Sequence, residues 1–190
     1  MLALSTFNVQ PDDPTDEDAN LVSEAQKDPA AFRAIYERWG VPVYQYFYYR
    51  IGDIANAEDL TSQLFLTVYQ SIPHYRHRGH FAAWLFTIAR NLVWKNYRKI
   101  HREDPLERAQ QLTSSSDPPE EFAVADEIEH LKRLIQTLPK EEQELIRLRY
   151  AAGLSFADIA IILHKREDAV KKSLYRLQAR LQNLLEQNDD

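Results

Sequence analysis

The 190-residue chain contains no cysteine. That excludes disulfide frameworks, thiolate-bound zinc and thiol chemistry. Glycine is scarce, at four residues, which argues against turn-rich β architecture and glycine-rich phosphate loops and favours helices. No run approaches the roughly 20 apolar residues needed to span a bilayer, and the first residues lack a basic-then-apolar leader pattern. The expectation is a cytoplasmic protein without membrane insertion. No nucleophile–base pair or metal-ligand set stands out, so an enzyme is the weakest class and no cofactor is expected.

What is present is unevenly distributed charge. The formal net charge of −6 counts at first against a polyanionic partner, but local field matters more than the total. Between Thr61 and Arg102 there is no Asp or Glu, against seven Lys or Arg. From Lys165 to Arg180 there are six Lys or Arg and two acids. Acids gather instead in residues 1–30, which hold seven, and in 103–129, which hold nine. Two basic segments separated by an acidic one point to nucleic acid.

Apolar spacing gives the organisation. Residues 1–20, with Pro11, Pro14 and a run of acids, read as a disordered tail. A first domain spans 21–101. Within it, Asp28-Pro29 opens a helix carrying Phe32, Ile35, Tyr36 and Trp39. The Tyr- and Phe-rich segment Val43–Ile51 reads as a second helix after Gly40. Asp53 caps a long helix to about Ser71, Ile72–Gly79 is a basic loop, and a helix with Phe81, Trp84, Leu85, Ile88 and Leu92 on one stripe runs to about Ile100. Residues 102–125 form an acidic, flexible linker by composition. A second domain spans 126–187. Pro139 opens a helix bearing Leu145, Ile146, Leu148 and Tyr150, stopped near Gly153. Ser155 caps the next helix with Asp158 three residues on, and a turn at His164–Arg166 leads into a last helix from Glu167 to about Leu185. The fold class is all-α, with two small helical domains.

Two constellations carry function. A capped helix of about eight residues, a three-residue turn and a basic helix make a helix-turn-helix, whose second helix exposes Asp168, Lys171, Lys172, Tyr175 and Arg176 to base edges and phosphates. The bland alternative is a helical hairpin with a solvated basic face. The basic loop and the helix after it combine Arg76, Arg78, Arg90, Lys95, Arg98 and Lys99 with Tyr75, Phe81, Trp84, Trp94 and Tyr97. Positive charge interleaved with rings is the chemistry of single-strand binding. Phe81, Trp84 and Ile88 belong to the core stripe, whereas Trp94 and Tyr97 are harder to place there. Other clusters read as structural. His74, His77 and His80 lack a supporting acid or Cys for zinc; Glu141, Glu142 and Glu144 make a solvated first helical turn; the tyrosines at 44, 46, 48 and 49 serve packing.

At this point three ordered motifs carry a resemblance. Ala57-Glu58-Asp59-Leu60-Thr61 with Phe65, then Trp84-Leu85 and Ile88-Ala89-Arg90-Asn91, then Leu138-Pro139, Leu154–Ala160 and Ala169-Val170-Lys171 resemble the extracytoplasmic-function (ECF) sigma factors. The likeness covers about 28–101 and 126–187. It implies a factor that binds core RNA polymerase and directs promoter-specific initiation. Glu58, Asp59, Leu60, Gln63 and Phe65 would meet the clamp helices of the β′ subunit. Tyr75, Arg76, Arg78, His80, Arg90, Asn91, Lys95 and Arg98 would read melted minus-ten DNA, with one base flipped into a loop pocket. Arg166, Lys171, Lys172, Ser173, Tyr175 and Arg176 would read the minus-thirty-five duplex, with the polymerase β flap nearby. An anti-sigma factor is a further implied partner.

Some positions depart from the family pattern. Lys95 stands where many members have Asp, Gln63 where an acid is common, and Glu167-Asp168 where Gly or Thr often sits, so promoter sequence does not carry over. Two alternatives stay open. A conventional helix-turn-helix regulator acting without core polymerase fits the C-terminal half equally well, and a sequestering helical module predicts no DNA affinity. The acidic linker invites a masking role, or a mimic of nucleic acid in the polymerase RNA-exit path.

Overall fold

The computed structural model describes residues 16–103 and 131–186, which fall in two separate compact units. Among the described residues there is no strand, and no helix is long and apolar enough to cross a membrane. The linker, apart from its start on the last helix of the first unit, and the chain before residue 16 lie outside the described residues, as do residues 126–130 at the start of the expected second domain.

The first unit begins earlier than composition suggests. Helix α1 spans Asp16–Lys27, so residues 16–20 of the expected tail are helical. Asp18 finds partners there: its carboxylate accepts from the Trp39 indole N–H at 3.2 Å and pairs with the Arg38 guanidinium at 2.9 Å, while Val22 and Ala25 are buried. Asp28 then caps a short 3₁₀ turn, Pro29–Ala31, accepting from the Ala30 N–H at 2.9 Å.

Helix α2, Phe32–Ile51, runs unbroken through Gly40 and Pro42, where the sequence suggests two helices. An interior proline removes one helical hydrogen bond and costs about 3 kcal/mol. Ile35, Trp39, Val43, Tyr46 and Phe47 form one buried stripe across the interruption, and burying each such side chain contributes roughly 1.5–3 kcal/mol. Five of them outweigh one proline. The helix stops at Gly52, whose φ of 77° is left-handed and whose N–H closes on the Tyr48 carbonyl at 2.8 Å. Asp53 caps α3, Ile54–Ser71, accepting from the Asn56 N–H at 2.8 Å. A 3₁₀ turn, Ile72–His74, leads to the loop 75–80 and then to α4, Phe81–Glu103. Helices α1, α3 and α4 all pack on α2, and Phe86 meets Trp39 and Tyr46 edge to face at 6.1 and 5.5 Å. The buried face of α4 is Phe81, Ala82, Ala83, Leu85, Phe86 and Ala89. Trp84 and Ile88, expected inside, are only half-buried, because Trp84 turns to stack on the loop.

In the second unit a helical stretch at 131–137 (α5) precedes α6, Lys140–Ile146, opened by Pro139. The buried Gln143 amide donates to the carbonyls of Gln136 and Leu138 at 3.0 and 2.9 Å, fixing the α5–α6 corner. A π-helical turn, Arg147–Ala151, ends α6, so Leu148 and Tyr150 lie on that turn. Gly153 has a φ of 68°. Ser155 caps α7, Phe156–Leu163, through a reciprocal pair. Its Oγ accepts from the Asp158 N–H at 3.0 Å and its hydroxyl donates to the Asp158 carboxylate at 2.7 Å. His164, at φ 53°, makes the turn into α8, Glu167–Glu186. Leu177 and Leu181 of α8 cluster with Leu138, with Leu134, Ile135 and Ile146 packed against them, and Leu145, Leu148, Leu154, Ile159, Ile162, Val170 and Leu174 are also buried.

Because both halves of the Ser155–Asp158 pair are buried, Ser155→Ala removes the cap and leaves a buried carboxylate short of a donor. The expected cost is about 1–2 kcal/mol, read as a lower urea midpoint with an unchanged slope.

Candidate nucleic-acid interface

Helical spacing divides α4 into two faces. Opposite the buried stripe stand Thr87, Asn91, Trp94, Lys95 and Arg98, all exposed; the last four sit within about two turns of helix. The loop joins the N-terminal end of this row. The Tyr75 ring packs on Trp84 at 4.4 Å, on Phe81 at 5.6 Å and on His77 at 6.1 Å. Arg76 and Arg78 are exposed and His80 is half-buried. Arg90 is half-buried beside the row. The structure therefore gathers the expected minus-ten residues around one continuous basic and aromatic surface. Trp94, 56% exposed, belongs in that row: the expected basic and aromatic constellation names it, although the minus-ten set omits it.

The proposed polymerase set is split by the same geometry. Glu58, Asp59 and Gln63 are exposed on α3, with the Gln63 amide donating to Asp59 at 2.6 Å. Leu60 and Phe65 are 3% and 4% exposed. They belong to the core: Phe65 packs against Tyr36 at 4.6 Å and Phe32 at 6.4 Å. They can shape this surface from beneath but do not present themselves to a partner. The large apolar groups that α3 does present are Ile54 at its first turn, Leu66, 58% exposed, and Tyr69, whose ring meets Phe32 at 5.2 Å. Leu66 follows Asp59 and Gln63 at helical spacing, so an apolar residue in a polar row was the legible sign.

On α8, Lys172, Ser173, Tyr175 and Arg176 are exposed, as is Arg166 at the turn. Lys171 differs. It pairs with Glu167 at 2.7 Å and its ammonium lies 5.5 Å from the centre of the Phe156 ring, so part of its charge is spent inside the unit. Arg149 also lies over that ring, at 4.2 Å, and its guanidinium donates to the Leu154 carbonyl at 2.8 Å. The first turn of α6 is not simply solvated. Glu141 pairs with Lys165 at 2.9 Å and Glu142 with Arg180, while Glu144 is buried near Arg147, 3.7 Å away. The hydrogen bond and charge of Lys165 hold the Glu141 carboxyl below its usual range. Among the described residues, no three His, Asp or Glu side chains converge as a metal site.

The family model for Sigma-70 region 2 matches residues 35–103, and that for Sigma-70 region 4 matches 128–181. The ECF RNA polymerase sigma factor EcfG of Rhodopseudomonas palustris is 30% identical over 135 residues, covering 70% of this chain and 74% of that protein. The chain belongs to the ECF sigma factor family. The ECF sigma factor BldN of Streptomyces coelicolor is 35% identical over 170 residues, 87% of this chain, although the match spans only 64% of BldN. Among solved structures, the sigma factor RpoE of Bartonella quintana, crystallised with the anti-sigma factor NepR, is 25% identical with a TM-score of 0.65. That match covers 82% of this chain and 96% of the other. CnrH, solved with the cytosolic domain of CnrY, shares the fold at 21% identity and a TM-score of 0.64, over 93% and 98% of the two chains.

For an ECF sigma factor the α6 acids have a consequence. They hold Lys165, which lies in the turn between α7 and α8, and Arg180. Glu141→Gln is expected to raise duplex DNA affinity about twofold at low salt and to steepen the salt slope by up to about 0.9, one phosphate contact. Titration works in the same direction. A lowered folded-state pKa means the pair persists above the usual carboxylate range and is lost only as pH falls through the depressed value. Filter binding across a salt series, with the wild type alongside, reads both quantities.

Proposed function

We propose that the two units divide promoter recognition between them, the α4 surface taking melted minus-ten DNA and α8 the minus-thirty-five duplex. The observation that carries this reading is the α4 row. An exposed Trp, Asn, Lys and Arg on one acid-free face, joined to a basic loop with a stacked Tyr, suits unpaired bases far better than a duplex groove. Asn91 offers an amide to a base edge, Trp94 a ring to stack on, Lys95 and Arg98 charge for the backbone. Arg166, Lys172, Ser173, Tyr175 and Arg176 supply duplex contacts, with Lys171 helping mainly to order the helix. Strand opening draws on capture of unpaired and flipped bases, with no hydrolysis by this chain.

Core RNA polymerase is the partner that makes these contacts productive. The exposed face of α3, Glu58, Asp59 and Gln63 around Leu66 with Tyr69 beside it, suits the β′ clamp helices, and the C-terminal unit the β flap. The functional units correspond to 21–101 and 126–187, the first extended by α1 back to residue 16. The site of action is the cytoplasm. By analogy with the RpoE relative, which was crystallised with the anti-sigma factor NepR, an anti-sigma factor is a further partner.

Run-off transcription with bacterial core polymerase on a promoter library tests the whole reading. Transcripts that need this protein are expected, and their aligned starts give both elements. Duplex binding without any core binding would instead favour a conventional regulator. Two substitutions at exposed positions test the assignments. Leu66→Asp should weaken core binding about tenfold or more while leaving the thermal midpoint unchanged, measured by competition with the wild type. Trp94→Ala should lower affinity for a single-stranded minus-ten tail by about five- to a hundredfold, and Trp94→Phe should restore most of it.

A further inference from the structure

Helix α1 does more than cover the core. The Gln26 side-chain amide donates to two backbone carbonyls across 46 and 49 residues of sequence, Ile72 at 2.9 Å and Tyr75 at 2.6 Å. Those two carbonyls lie at the ends of the 3₁₀ turn from which the loop 75–80 departs. The Ile72 carbonyl also receives the Tyr75 N–H at 3.1 Å, so Gln26 and the turn share one acceptor and Gln26 adds the other.

The Tyr75 carbonyl is the important one. Its direction is set by the ψ of Tyr75, which is 131°, and the same torsion sets the direction in which Arg76 leaves. Holding the carbonyl therefore aims the loop. The Tyr75 ring is fixed independently by Trp84 and Phe81, so the residue is gripped at both its side chain and its backbone. The far end of α1 is anchored by the Asp18 contacts to Arg38 and Trp39, which prevents the helix from sliding along α2.

We propose that Gln26 is a positioning residue for promoter reading: by clamping the Tyr75 carbonyl it fixes the loop that receives an unpaired base, and so sharpens discrimination between bases there. The inference rests on the reading of 75–80 as a DNA-contacting loop. Gln26 is itself exposed, and Val22 and Ala25 hold α1 in place without it, so its removal leaves the fold intact.

The test uses the full chain assembled with bacterial core polymerase. The probe is a promoter fragment from the run-off alignment, with duplex minus-thirty-five DNA and a single-stranded minus-ten tail, in four versions that differ at the loop-read base. Gln26→Ala removes both hydrogen bonds. Gln26→Glu keeps the shape but, ionised, can only accept, and so faces two carbonyls without a donor. Both variants should bind the preferred tail about three- to tenfold more weakly, with the preference over the other three bases reduced. Core affinity, duplex-only affinity and thermal midpoint should stay at wild-type values. Wild-type affinity and preference in both variants would overturn the proposal. So would a loss matched by an equal fall in core binding and thermal midpoint, since that marks a general structural role. If the wild type itself shows no preference among the four tails, the loop reading fails and takes this inference with it.

Discussion

The buried stripe of α2 has to hold a helix straight through a proline, and the N-terminal unit is built on its doing so. With Pro42 at mid-helix, isolated propensity would break the chain there. The contacts of Ile35, Trp39, Val43, Tyr46 and Phe47 come from three different helices, so the continuity of α2 is a tertiary effect. Every downstream placement inherits it. The Trp39–Phe86 and Tyr46–Phe86 ring contacts set how α4 lies on α2, and that orientation decides which α4 residues face water. The row from Asn91 to Arg98 is the complement of the face that α2 buries.

The C-terminal unit solves a different problem, the crowding of positive charge on a short motif. Lys165, Lys171 and Arg180 are each matched to an acid of the same unit, Glu141, Glu167 and Glu142. These pairs are exposed or half-exposed, and such contacts contribute little stability each, roughly 0–1 kcal/mol. Their larger effect is on which cations remain available. Lys172, Arg176 and Arg166 are left to face outward, so the basic count of the sequence overstates the charge offered to a polyanion. Phe156, whose ring lies near both Arg149 and Lys171, couples this sorting to the packing of α7.

Much of this was legible in the residues because the signals were local. Asp28, Asp53 and Ser155 announce their caps, Gly52 and Gly153 their stops, and the acid-free stretch announces α4 and its loop. What escaped depended on contacts between distant segments. Residues 16–20 look like a solvated acidic tail until Asp18 meets Arg38 and Trp39. Val43–Ile51 looks like a separate helix until the α2 stripe is seen from its partners. Leu60 and Phe65 were placed at a surface because motif likeness marks position along the chain and says nothing of which face is buried. Leu66 could have been found by applying helical spacing strictly, and the same spacing would have carried Trp94 from the aromatic constellation into the row with Asn91. Gln26 could not, since nothing near it in sequence hints at two carbonyls beyond α3.

The turn of the helix-turn-helix carries a consequence of another kind. His164 is the one non-glycine residue with positive φ among the described residues, and its N–H closes on the carbonyls of Ala160 and Ile161. A β-branched or bulky side chain meets a steric penalty in that region, whereas Asn, Asp, His and Gly tolerate it. Position 164 is thus a steric filter: Asn, Asp, His or Gly can close α7 and launch α8 there, whereas a β-branched side chain would strain the joint between the two helices.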